Sequence, residues 1–145
     1  DIYDVLSKTP QTVNFTQDEI DKGNELLRKM TLNKNRKFIC FHSRTPHYEA
    51  YVKKRVKFRY DLRDSRNPYY AKTWNYFSQN NLKTVVFGDE HNDFLINDVI
   101  YYNKNNFKND FLDIYIASKC KYLVGDASGM THVPIIFRKN VFPLY

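Results

Sequence analysis

Two short constellations carry residue types suited to holding an anion. The first is Asp126-Ala127-Ser128-Gly129, which follows the apolar strand Tyr122-Leu123-Val124-Gly125 and precedes a helical pattern from Thr131 to Phe137. Small and hydroxyl residues at a strand-to-helix junction leave the first-turn N–H groups uncovered. Those groups and the helix dipole together attract negative charge. A nucleotide diphosphate fits there, held by the Ser128 hydroxyl and by N–H groups around Ser128, Gly129 and Met130. The same tetrad is also ordinary turn and N-cap chemistry, so a second element has to support it.

That element is His42-Ser43-Arg44, placed directly after the apolar run Lys37-Phe38-Ile39-Cys40-Phe41. The run is short and rich in Phe and Ile, which predicts a buried strand rather than a helix. Ligands of open parallel sheets collect beyond the carboxyl ends of the strands, and both constellations stand at such ends. The Arg44 guanidinium can fork onto phosphate oxygens, which a lysine does less selectively. His42 either donates a hydrogen bond to the same ligand or is a structural histidine bonded to backbone.

These residues need a scaffold, and the sequence spells one out. Thr16-Gln17-Asp18-Glu19 is a capping box that predicts a helix to about Met30, with Ile20, Leu26, Leu27 and Met30 on its buried face. Asn33 to Arg36 turns the chain into the first strand. From Ser43 to Asn67 the residues become charged and aromatic without period, which predicts a loop over the site or a solvated basic surface. Asn67-Pro68 predicts a cap and first helical position for a helix from about Tyr69 to Gln79. Thr84 to Phe87 reads as a second strand ending at Gly88-Asp89-Glu90, and Val99 to Tyr102 as a third. Asn109-Asp110 caps a helix from Phe111 to Lys119, so Asp110 and Asp113 belong to its cap and first turn. A terminal strand, Asn140 to Leu144, follows the Gly129 helix. Strands alternating with helices predict an α/β, Rossmann-like three-layer domain with a mainly parallel sheet.

Composition narrows the class of partner. The 145 residues fit a single domain, 1–145, large enough to bury roughly two-thirds of its unfolded surface. The net charge of +7 favours phosphorylated or polyanionic ligands. Tyrosines and phenylalanines interleaved with Lys and Arg offer stacking for single-stranded nucleic acid, but many of them lie in apolar runs where core packing is expected. Cys40 and Cys120 have no Cys-x-x-Cys spacing, which predicts buried thiols of a reducing compartment rather than a disulfide framework. The four histidines, His42, His47, His91 and His132, are not at metal-ligand spacing, and no metal is expected. No apolar run approaches the ~20 residues that span a bilayer. The chain starts at Asp1 without Met and stops just after a strand, which predicts a fragment of a longer enzyme.

The order of these pieces resembles the C-terminal, donor-binding half of a family of bacterial glycosyltransferases with the two-Rossmann-domain GT-B architecture. Phe15-Thr16 to Met30 looks like the family's capped helix, and Phe38 to Arg44 like its strand ending in His-x-Arg. Arg66-Asn67 looks like its Arg-Asn pair ahead of the next helix. Asp110 to Gly129 looks like its Asp-x-x-hydrophobic helix, Cys-Lys-aromatic strand and Ser-Gly turn. More distantly, His42-x-Arg44, Phe87-Gly88-Asp89 and Ser128-Gly129 are similar to motifs of fucosyltransferases that use a GDP-sugar. Two positions depart from the pattern: Thr45-Pro46 stands where the family has an Asp, and Val86-Phe87-Gly88 where it tends to place an Arg.

The resemblance implies a metal-independent transferase that moves a sugar from a nucleotide-sugar, GDP-linked in the fucosyltransferase case, to a glycan or lipid-linked acceptor of a bacterial surface polysaccharide. It implies no further cofactor. His42, Arg44, Ser128, Gly129 and Met130 then hold the donor diphosphate, and Arg66, Asn67, Gly88, Asp89 and Glu90 are candidates for base, ribose or loop contacts. The acceptor base is not identifiable, and in this architecture it can come from the missing N-terminal domain. The resemblance places such a protein in the cytoplasm, with peripheral association at the inner membrane's cytoplasmic face. The rival readings are a non-catalytic polyanion or single-stranded nucleic-acid binder and a degenerate domain that has lost the donor site.

Overall fold

A computed structural model describes residues 5, 6, 8–32, 37–43, 70–88 and 96–144. Its elements in chain order are α1 (Gln17–Lys29), β1 (Phe38–His42), α2 (Ala71–Gln79), β2 (Lys83–Phe87), β3 (Val99–Tyr101), a 3-10 turn (Tyr102–Lys104), α3 (Asp110–Lys119), β4 (Tyr122–Asp126), α4 (Gly129–Ile136) and β5 (Asn140–Leu144).

Hydrophobic alternation about β1 organises the molecule. Phe38 and Cys40 point into a core with Leu27, Met30, Leu112, Tyr115 and Ile116, residues of α1 and α3 and their flanks. Ile39 and Phe41 point the other way, to Trp74 of α2 and Val86 of β2. A strand covered on both faces must be apolar throughout, which is why the Lys37–Phe41 run announces itself in the sequence. The sheet order is β3-β2-β1-β4-β5, and β1–β2, β1–β4, β2–β3 and β4–β5 all pair in parallel. The chain builds leftward from β1 to β3, then crosses over to start β4 on the other side of β1. That reversal puts a topological switch point between β1 and β4.

Local chemistry sets the element ends. The Thr16 N–H donates to Glu19 at 2.8 Å and the Glu19 N–H donates back to the Thr16 hydroxyl at 3.3 Å, so both arms of the expected capping box form. The Leu112 N–H donates to the Asn109 side chain at 2.9 Å, capping α3. At the amino end of the sheet the Lys83 ammonium donates to the Thr31 hydroxyl at 2.7 Å and lies 3.8 Å from Asp98. Arg138, in the left-handed region at φ 59°, donates to the backbone carbonyls of Thr9 and Pro10 at 3.4 and 3.1 Å. Cys40 and Cys120 are free, buried thiols. Burial, with the Cys120 thiol beside it, pushes the Cys40 thiol well above its ordinary range.

Several expected boundaries move. His42 and Asp126 are the last residues of their strands rather than the first of their loops. The last helix begins at Gly129, two residues ahead of the expected Thr131, because Ser128 takes the extended N-cap conformation immediately before it. The third strand ends at Tyr101, and Tyr102 starts the 3-10 turn. The described part of α2 opens at Ala71 with no side-chain cap, and the Asn67-Pro68 start lies outside the described residues.

α1 and α3 meet where the Tyr115 ring covers Gly23: a Cβ built on Gly23 falls 2.4 Å from that ring. The Tyr115 hydroxyl is held by the Ile20 carbonyl and the Asn24 side chain, both at 3.1 Å, so the ring is not free to retreat. Helix propensity alone would make Gly23→Ala stabilising by about 1 kcal/mol, but overlap with a pinned, buried ring outweighs it. Gly23→Ala is expected to lower the unfolding free energy by about 1–2 kcal/mol, measured by urea titration. An unchanged or raised midpoint would show that the ring yields.

Candidate functional site

β1 and β4 deliver their carboxyl ends side by side, with His42 in register with Gly125. Gly125 makes that approach feasible. A Cβ there would lie 2.4 Å from the His42 carbonyl oxygen and 2.9 Å from the His42 Cβ. Lacking one, β4 closes onto β1 and carries the Asp126-Ala127-Ser128 turn over the end of β1. His42 Nδ1 then lies 3.3 Å from the Ser128 hydroxyl, 86 residues apart in sequence. Two constellations separated along the chain are thus in contact at the switch point.

The start of α4 is ordered from behind. The Thr131 hydroxyl donates to the Ser128 carbonyl at 2.7 Å and accepts from the Ser128 N–H at 3.3 Å. His132 Nδ1 is 2.9 Å from the same carbonyl. A carbonyl oxygen only accepts, so Nδ1 carries the proton and Nε2 is left with the lone pair in the neutral ring. His132 is exposed, so its Nε2 edge is open to water or ligand. Asp126 is buried at the end of β4. Gly129 occupies the first helical position, and a Cβ there would meet nothing within 4 Å. Packing does not demand glycine at 129, and its consequence is that the N–H groups of Gly129 and Met130, which precede any intrahelical acceptor, are left unshielded.

Of the residues singled out from the sequence, the structure gathers His42, Ser128, Gly129 and Met130 around one junction. Gly88 follows the last residue of β2 with φ 129°, and β2 is the other neighbour of β1. Arg44, Arg66, Asn67, Asp89 and Glu90 lie outside the described residues. Two residues, Thr131 and His132, were not anticipated at the site, and Asp126, read with the turn, is the last residue of β4. The signal for His132 was its i+4 spacing from Ser128, which puts a ring back over the helix's own first turn. Among the described residues no three His, Cys, Asp or Glu side chains gather as a metal would require. Chemically the junction sets an imidazole and a hydroxyl in contact beside the first turn of α4, groups of the kind that bind an oxyanion.

No known family's sequence model matches the chain, and no curated protein matches it. Among solved structures, a glycosyl transferase family 9 protein from Veillonella parvula DSM 2008 is similar over 92% of this chain, with a TM-score of 0.65 and 15% identity. The chain spans 36% of that protein's length. At such identity the likeness establishes the fold: a Rossmann-like α/β unit of the kind found in a glycosyltransferase domain.

The Gly125 contact generates a paired expectation. Gly125→Ala should destabilise the protein by about 1–3 kcal/mol and shift the His42 imidazole resonances as β4 is pushed off β1. Gly129→Ala should stay within about 0.5 kcal/mol of the parent. Thermal melts and histidine side-chain NMR read both, and equal tolerance at the two glycines would refute the close-approach account.

Proposed function

We propose that this chain is the nucleotide-sugar-binding half of a glycosyltransferase. The observation that carries the reading is the 3.3 Å contact between His42 and Ser128, which unites two strand ends at the switch point. The fold shared with a glycosyl transferase family 9 protein supports it.

Sugar transfer breaks an anomeric C–O bond while the diphosphate departs with growing negative charge. Donors preorganised around the leaving group therefore favour the transition state over the ground state. In this reading the N–H groups of Gly129 and Met130 and the Ser128 hydroxyl bind phosphate oxygens. Arg44, two residues beyond His42, supplies the cation. These groups neutralise the diphosphate without a metal. Arg66, Asn67, Gly88, Asp89 and Glu90 are assigned to base, ribose or loop contacts, with a GDP-linked sugar as the leading donor. The acceptor is a glycan or lipid-linked precursor of a surface polysaccharide on the cytoplasmic side of the membrane, and the catalytic base belongs to a second domain.

Titration calorimetry with GDP-, UDP- and CMP-sugars tests the assignment. One donor class should bind, and Arg44→Ala should weaken it by about 1.5–3 kcal/mol through loss of charged hydrogen bonds. Unchanged affinity in Arg44→Ala removes Arg44 from the site. Failure of every nucleotide-sugar, together with salt-steep binding to single-stranded DNA, would replace the transferase by a polyanion binder.

A further inference from the structure

Arg138 joins two parts of the chain that lie 129 residues apart. It is the second residue past α4 and stands in the left-handed region at φ 59°. Glycine or asparagine is the usual choice there, because a Cβ is disfavoured. A larger residue kept in that conformation directs attention to what its side chain does. The guanidinium reaches in two directions. Nη1 donates to the Ile135 and Ile136 carbonyls at the closing turn of α4, at 3.5 and 3.4 Å. Nη2 donates to the Thr9 carbonyl and hydroxyl, both at 3.4 Å, and to the Pro10 carbonyl at 3.1 Å.

The same amino-terminal segment is held again at Phe15. Its ring stacks on Phe137 at 5.0 Å with the planes 1° apart, and meets the Tyr115 ring of α3 at 5.0 Å and 62°. Phe137 is the cap residue that ends α4. Segment 9–15 is therefore fastened to the end of α4 twice, by a fork of donors and by a stacked ring.

α4 depends on such fastening. It has 8 residues, and helices that short are marginal without tertiary support. Pro134 lies inside it and has no N–H to return to the Met130 carbonyl. The Ser128 cap and the Gly129–Met130 turn stand at its other end, about 13 Å from Arg138 at the usual helical rise. A short helix interrupted by proline is placed by whatever grips its ends.

We propose that Arg138 is a positioning residue for the donor site: it clips segment 9–15 to the closing turn of α4, and that strap fixes the direction in which the helix offers its first-turn N–H groups. The inference rests on the donor-site reading above for what those groups bind, and on the contacts of Arg138 and Phe15 for how they are held. The fork matters more than the charge. A lysine ammonium would keep a cation at the carboxyl end of α4, where the helix dipole favours one, but its single nitrogen cannot span helix and strap together. Releasing the strap lets α4 pivot about its buried Thr131 and Pro134 and loosens the turn that the His42 imidazole faces.

Arg138→Gly and Arg138→Lys test this. Glycine suits the left-handed position, so the first variant removes the clip while sparing the backbone; the second keeps the charge and divides the fork. In backbone-amide NMR of the free protein, both are expected to shift the Ser128, Gly129 and Met130 amides and to lower their order parameters. The β1 and β2 amides should stay in place, and the melting midpoint close to the parent's. Affinity for the nucleotide-sugar that the parent binds is expected to fall about fivefold in each, a size usual for residues remote from a ligand. If the parent binds no nucleotide-sugar, the donor reading falls by itself, and the amide response still decides whether the strap holds α4. If Arg138→Gly does not fold, Arg138→Lys decides. The proposal is overturned if amide changes stay confined to residues 8–15 and 135–140, or if Arg138→Lys matches the parent. It is equally overturned if Arg138→Lys moves amides throughout the sheet with a lowered midpoint, which is general destabilisation.

Discussion

The pairing of β1 with β4 is the contact on which the rest of the structure hangs. β1 is the sheet's centre, buried on both faces, and its two neighbours arrive from different parts of the chain. β2 adds a neighbour on one side; β4 reverses the direction of growth and creates the crevice. The reversal is tight because residue 125 has no side chain, so the His42 carbonyl lies where a Cβ would otherwise be. Widening that gap would part His42 from Ser128 and leave the α4 amino end without its facing imidazole.

Charge placement follows from this geometry. In an all-parallel sheet the helices that follow strands begin near the carboxyl ends, bringing their positive ends to the same rim. α4 starts three residues after β4 ends, so its dipole is aimed at the crevice from close range. Thr131 and His132 both bond the Ser128 carbonyl, and that shared acceptor fixes the turn in one conformation. Preorganisation of this kind is what stabilisation of a departing anion requires, because donors already in place need no rearrangement as charge develops.

What could be read from residues alone tracks how strongly each element's environment dictates its sequence. β1 and β2 are legible because burial on both faces forces unbroken apolar runs, and α1 and α3 because Thr16, Glu19 and Asn109 do capping work that few other residues do. The amino end of α4 was misplaced because Gly129 reads as a breaker, although after a Ser cap it can occupy the first helical position. Asp126 was read as loop because a carboxylate seldom ends a buried strand. His132 was passed over because a single histidine says little until its partner is known, and that partner is a backbone carbonyl that no pattern reveals. The convergence of His42 with Ser128 depends on strand order, which spacing along a chain does not encode.

The separation of β1 from β4 along the polypeptide also bears on biosynthesis. Cys40 and its neighbour Leu123 are 83 positions apart. At ribosomal speeds of about 5–20 residues per second, roughly 4–17 seconds pass between the emergence of one and of the other. Throughout that interval one hydrogen-bonding edge of the innermost strand stays open. The nascent chain therefore presents an adhesive apolar margin until β4 has been made, which is the kind of unpaired edge that chains aggregate through.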